Sequence, residues 1–180
     1  MKIVTPKRLQ QGIYQIRREL QQLGFFSEVV QKVQVKLTPF GTAYGYQYYG
    51  SSGDICIPAF SLSRFSTLLG YPYTSLRDVL RHEYGHAVAD LHRGLIRSRK
   101  FSSVFGFGHC FEKREEFHPE VHLTPYAAHS PGEDFAETFM IYVRNAGGLP
   151  RGVSSRTIRE KFLFLSELAG SISRGLRRWG

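Results

Sequence analysis

The sequence predicts an α+β domain in which a short antiparallel sheet packs on two helices that carry histidines and acids. Three observations predict it. Several stretches repeat apolar residues at helical spacings of three and four, while short runs between 29 and 60 alternate apolar and polar residues. The alternating runs are separated by the turn-like segments TPFGT and GSSGD. The chain of 180 residues, 42% hydrophobic and 22% charged, is long enough for one core and has an ordinary globular composition, so a single domain over 1–180 is expected.

The first element is a helix over about 6–23. Thr5 caps it, Pro6 takes its first position and Gly24 ends it. Leu9, Ile13, Ile16, Leu20 and Leu23 form one stripe, a packing face without chemistry. A small sheet follows over about 29–60. Val33, Val35 and Leu37 alternate with Gln34 and Lys36; Tyr44, Tyr46 and Tyr48 alternate through AYGYQYY; ICIPAF follows Gly53 and Asp54. The simplest arrangement is an antiparallel meander. Pro58 removes a backbone donor from the third strand and places it at an edge, which either only protects the sheet or pairs with an extended peptide.

TSLRDVLRHEYGHAVADLH reads as a helix over about 75–93. Thr74 and Ser75 suit its N-cap and Asp78 supplies a capping-box acid; Leu76, Val79, Leu80, Val88 and Leu91 give it apolar content. His82 and His86 lie one turn apart, about 40° around the axis and roughly 6 Å along it. Two imidazoles at that offset reach one zinc ion at about 2.0–2.1 Å. Glu83 projects beside them, where its carboxylate can hold a water. This is the HExxH pattern of two zinc-binding histidines and a general base. Such a site needs a third ligand.

Residues 94–125 read as an irregular loop over the cleft, with Gly106, Gly108, the polar run EKREEFHPEVH and the histidines His109, His118 and His122. His118 and His122 have ligand spacing, but Pro119 argues against a helix between them, so a solvated loop is expected instead of a second metal site. In YAAHSPGEDFAETFMIYVRNAGG, Ser130, Pro131 and Glu133 take the N-cap, first and third positions of a helix over about 131–146, ending before Gly147 and Gly148. Glu133 and Glu137 share one face of it. They read either as a capping-box acid and a solvated surface acid, or as a metal ligand with a supporting residue. Phe135, Phe139, Met140, Tyr142 and Val143 make the helix apolar and therefore buried, which favours the second reading.

HEYGHAVAD followed by EDFAE resembles the gluzincin class of zinc metallopeptidases, in which a Glu on a second helix completes the site. The local wording is similar to the catalytic domains of anthrax lethal factor-type peptidases, which have HEFGHAV, a Glu in an E-x-F-A-E context and a Tyr seven residues before that Glu. The match covers about thirty residues in two segments. The resemblance implies a zincin-like fold, with zinc held by His82, His86 and Glu133, and with Glu137 supporting them. It also implies Tyr126 as a hydrogen-bond donor to a developing oxyanion. A competing ligand is His92, ten residues after His82, where HExxHxxGxxH metzincins place a third histidine. That pattern needs a glycine where this chain has Ala89. If the helix continues, His92 lies about 15 Å along the axis from His82, out of reach of the same metal. Met140 stands in a helical context and not in a Met-turn, so Glu133 is preferred.

With three protein ligands one position stays open for water, whose pKa zinc lowers towards about 7. Glu83 would take the proton as hydroxide attacks a peptide carbonyl, then pass it to the leaving amine, while zinc and Tyr126 share the oxyanion charge. The expected function is that of a zinc endopeptidase with a protein or peptide substrate. Two other readings remain: a zinc-binding interaction protein without turnover, and a basic nucleic-acid or anionic-surface binder in which HEYGH is incidental.

The chain closes with a packing helix over about 157–175, where Thr157 and Glu160 form a capping box and Ile158, Phe162, Leu165, Ala169 and Ile172 a stripe. Net charge is +9, with basic residues at Lys7 and Arg8, Arg17 and Arg18, Arg97, Arg99 and Lys100, and Arg174, Arg177 and Arg178. They are scattered and form no nucleic-acid motif, so no nucleic-acid partner is expected. A membrane-surface role for the last three with Trp179 is the minor reading. No run of eighteen apolar residues is present to span a membrane, and MKIVTPKRLQQ lacks the apolar core of a signal peptide. A soluble chain is expected: cytoplasmic, the mature part of an exported protein, or exported by another route. Cys56 and Cys110 are too few for a disulfide framework and lack metal-binding spacing.

Overall fold

Thr5 adopts extended backbone and its hydroxyl accepts from the Arg8 N–H, which starts helix α1 (Pro6–Leu23); left-handed Gly24 ends it. The structure, a computed structural model, describes residues 4–38, 45–59, 75–106 and 116–179. The expectations for Tyr44, Thr74, Gly108, His109 and Cys110 lie outside the described residues. After α1 come α2 (Glu28–Gln31), β1 (Gln34–Thr38), β2 (Gly45–Tyr48), β3 (Gly53–Pro58), α3 (Leu76–Leu91), α4 (Arg93–Ile96) and α5 (Arg99–Phe105). A 3-10 turn (Pro125–His129), α6 (Pro131–Arg144) and α7 (Arg156–Ser173) complete an α+β fold of seven α-helices and a three-stranded sheet among the described residues.

The sheet is mixed, not the antiparallel meander that the alternation predicts. Its order is β1-β3-β2, with β1 parallel and β2 antiparallel to β3. Alternation looks the same in either ladder, so it fixes which faces are apolar and not which way neighbours run. Nor is β3 an edge. Ile55 and Ile57 are buried and β3 takes the centre, opposite Val35 and Leu37 on one side and Tyr46 on the other. Pro58 is its last residue, paired with Thr38, and the Ala59 N–H takes up the next bond to the Thr38 carbonyl at 2.9 Å. The missing donor thus falls at the end of a central strand.

The core gathers Ile16 and Leu20 of α1, Ile55 and Ile57 of β3, Val79, Leu80, Tyr84 and Val88 of α3, and Phe135 and Phe139 of α6, all buried. Each such side chain contributes about 1.5–3 kcal/mol by leaving water. Polar ties fix α3 within it. Ser75 and Asp78 close the expected capping box, and the Arg81 guanidinium donates to Glu19 of α1 at 2.9 and 3.0 Å and to Asp78 at 2.7 Å. The Arg17 side chain reaches across to the Tyr84 hydroxyl at 3.3 Å.

The loop expected over 94–125 is corrected in its described part. Ser98 caps α5, and Phe101 and Phe105 stack with rings 5.0 Å apart and pack on Phe135 and Phe164. A helix of seven residues is too short for periodicity to declare it. The cap of α7 also shifts, from Thr157 to Ser155, whose hydroxyl accepts from the Ile158 N–H and donates to the Glu120 carbonyl. Trp179 turns inward: its indole N–H donates to the Leu95 carbonyl at 2.7 Å and its ring packs on Phe164. No helix among the described residues is long and apolar enough to cross a membrane.

Candidate metal centre

Helices α3 and α6 meet at Gly85, the fourth residue of HEYGH. A Cβ there would lie 3.1 Å from Ala136 Cα and 3.2 Å from Phe139 Cδ1, so any side chain would force its neighbours to give by a few tenths of an ångström, and glycine lets the two helices approach this closely without that cost. Next to this contact (His86) and one turn before it on each helix (His82 and Glu133), the sequence-predicted donors converge. His82 and His86 Nε2 are 3.1 Å apart, and Glu133 Oε2 is 3.2 Å from the first and 3.4 Å from the second. A tetrahedral ion about 2.0–2.1 Å from its donors holds them roughly 3.3–3.4 Å apart. The triangle fits such an ion.

The chemistry of the donors agrees with the distances. Glu133 Oε2 is buried and makes no hydrogen bond. Ser130 caps α6 by accepting from the Glu133 N–H at 3.1 Å, but the carboxylate turns towards the histidines, so the capping-box reading of Glu133 fails. Glu137 is not a solvated acid either. It is wholly buried, and its Oε1 is 2.7 Å from His82 Nδ1. With the Nδ1–H donating to Glu137, a neutral His82 presents a bare Nε2 lone pair at the triangle. Burial disfavours a charged His82, but the carboxylates of Glu133 and Glu137 outweigh it and hold its pKa well above the ordinary imidazole value. Burial likewise opposes the Glu133 carboxylate, and His82 and His86 overcome this to hold it below the usual range. Two imidazoles and a carboxylate at these distances are a donor set able to hold a divalent ion.

Glu83 is buried on α3 beside the two histidines. Gly45, at the start of β2 with φ +118°, lies next to it: a Cβ there would make ordinary contact at 3.7 Å from Glu83 Oε2. Tyr126 sits in the 3-10 turn capped by Thr124, with its ring 5.9 Å from the His82 ring and 4.8 Å from that of His129. The structure therefore brings together His82, Glu83, His86, Glu133, Glu137 and Tyr126.

The competing histidines stand apart from the triangle. His92 caps the far end of α3, where its Nε2 pairs with the Ser27 hydroxyl at 3.0 Å, and burial lowers its pKa to about 4. A cavity of about 1030 Å³ opens there, beside His92, Arg93 and Arg177, and no residue of the triangle lines it. His122 is buried and accepts from the His118 N–H through Nδ1 at 3.3 Å, so the expectation of a solvated loop is wrong at His122. Among the described residues, His82, His86 and Glu133 are the one group of three or more side chains placed to hold a metal. Cys56 lies half-buried in β3 and unpaired.

Gly85 escapes sequence reasoning, although it had a signal, since a glycine inside a helix needs a packing reason. Comparisons with protein-family models, with curated proteins and with solved structures found no match for this chain.

Proposed function

We propose that the chain is a zinc-dependent endopeptidase of gluzincin type on a zincin-like fold, with a protein or peptide as substrate. The observation that supports it is the convergence of His82 Nε2, His86 Nε2 and Glu133 Oε2 on one point, with Glu137 behind His82 and Glu83 alongside. When bound, zinc supplies Lewis acidity, which lowers the pKa of water and polarises a carbonyl. Glu83 takes the proton from the attacking water on its carboxylate and delivers it to the leaving amine. Tyr126 donates its hydroxyl proton in a hydrogen bond to the oxygen that gains charge. Glu137 keeps His82 in the tautomer that binds metal. Among the described residues β2 pairs with β3 alone, and its outer edge, which begins beside Glu83, is where an extended substrate would add as a further strand.

Metal content and hydrolysis of a peptide library test this reading together. About one zinc per chain is expected in the wild type, lost in His82→Ala and Glu133→Ala, with cleavage abolished by a chelator and restored by zinc. Wild-type protein that holds no zinc after zinc-replete purification would sink the proposal. Stoichiometric zinc without cleavage of any peptide would leave a metal-binding protein that is not a peptidase.

A further inference from the structure

We infer that Lys161 is a positioning residue of the metal centre, its ammonium setting the first turn of α6 and hence the place of Glu133 Oε2. The inference rests on the metal-site reading above and goes beyond it to a side chain on another helix.

Lys161 is 1% exposed, and its Nζ donates to Asp134 Oδ2 and to the Val121 carbonyl. Asp134 neighbours Glu133 in the first turn of α6, and its other oxygen accepts from the Thr138 hydroxyl at 3.4 Å. The ammonium therefore grips two stretches at once. One is the turn that carries the third ligand. The other is the segment that runs through Thr124 into the 3-10 turn bearing Tyr126. The cap of α7 grips the same segment through Ser155 and the Glu120 carbonyl.

A buried ion pair is a poor device for stability alone, because an apolar pair of similar volume commonly does as well or better. What it supplies is direction. A cavity of about 360 Å³ lies between Phe105, Val121, His122, Pro131, Asp134 and Lys161, so close packing does not by itself fix the start of α6 here. Further along, the contact at Gly85 and Ala136 fixes the middle of the helix. Two restraints, one steric and one ionic, then determine both its distance from α3 and the pitch of its first turn.

The test compares the wild type with Lys161→Met/Asp134→Leu, which removes equal and opposite charges and so leaves the net charge near the metal unchanged. Zinc affinity is read by chelator competition and stability by the thermal midpoint of the metal-free protein. The double variant is expected to keep its metal-free midpoint while its zinc affinity falls about tenfold or more. A purely structural role predicts that affinity follows the midpoint, so wild-type affinity in the folded double variant overturns the inference. Should that pair not fold, Lys161→Gln/Asp134→Asn decides instead, since Gln is too short to reach both acceptors. Affinity lowered about threefold or more supports positioning, and unchanged affinity overturns it. Zinc bound equally by every variant defeats this inference alone, whereas zinc absent from the wild type defeats the metal reading itself.

Discussion

His82 Nδ1 and Glu137 Oε1 stand 2.7 Å apart between two helices, one residue 3% exposed and the other fully buried. The carboxylate orients the ring and raises its basicity as a ligand. Glu137→Gln keeps the shape but offers a neutral acceptor, and its amide can also turn its NH₂ towards the ring. Zinc affinity should fall about 10–100-fold in chelator competition while the chain stays folded. Affinity equal to the wild type would show that His82 does not depend on this partner.

Glu83 lies beside the triangle without being part of it. Glu83→Gln should therefore keep about one zinc per chain and lose peptide hydrolysis by at least about a hundredfold in kcat, the scale of a lost general base. Turnover surviving that change would remove Glu83 from the mechanism.

Gly85 carries a steric prediction. In Gly85→Val a branched side chain meets Ala136 Cα and Phe139 where even a Cβ is crowded. Overpacking of this kind costs about 1–3 kcal/mol, and a chain of this size loses roughly 2–4 °C in thermal midpoint per kcal/mol. Because the clash pushes α6 away from α3, zinc affinity should fall as well. A variant with a lowered midpoint and wild-type zinc affinity would show that the helix contact and the ligand triangle are independent.

His92 gives a dependence on pH. Burial lowers its folded pKa to about 4, against about 6.5 for a free imidazole. Below pH 6.5 the unfolded chain gains a proton that the folded chain refuses. The stabilisation is fully present above pH 6.5 and is lost as pH falls to about 4. It amounts to at most about 3 kcal/mol, less where solvent reaches the ring. In His92→Gln the metal-free protein should lose stability less steeply between pH 6.5 and 4, measured by denaturant melts. An unchanged slope would mean that other groups govern acid sensitivity.

Much of the helical framework was legible because its signals are local. Thr5, Pro6 and Gly24 bound α1, Ser75 and Asp78 start α3, and Ser130 starts α6 through side-chain and backbone geometry within a few residues. That His82 pairs with His86, and Glu133 with Glu137, was legible for a related reason, since a helix fixes which side chains share a face; that the two faces meet was implied by the resemblance to gluzincins and not by the residues themselves. The sheet order was not legible, since Val35 pairs with Ile55 across twenty residues and alternation carries no direction. The Lys161 bond to Asp134 was hidden in the same way. Each residue looks ordinary on its own helix, and only their meeting across α6 and α7 explains a buried ammonium.

The close approach of α3 and α6 at Gly85 and Ala136 also makes the site a filter by donor type. A centre held there would offer two imidazole nitrogens and one carboxylate oxygen. Calcium, which takes about six to eight oxygens, would be refused by that chemistry and not by the spacing of the donors. Nickel and cobalt, close to zinc in their taste for imidazole, would compete for the same three atoms. Selection among those ions would fall to their supply and to preferred geometry.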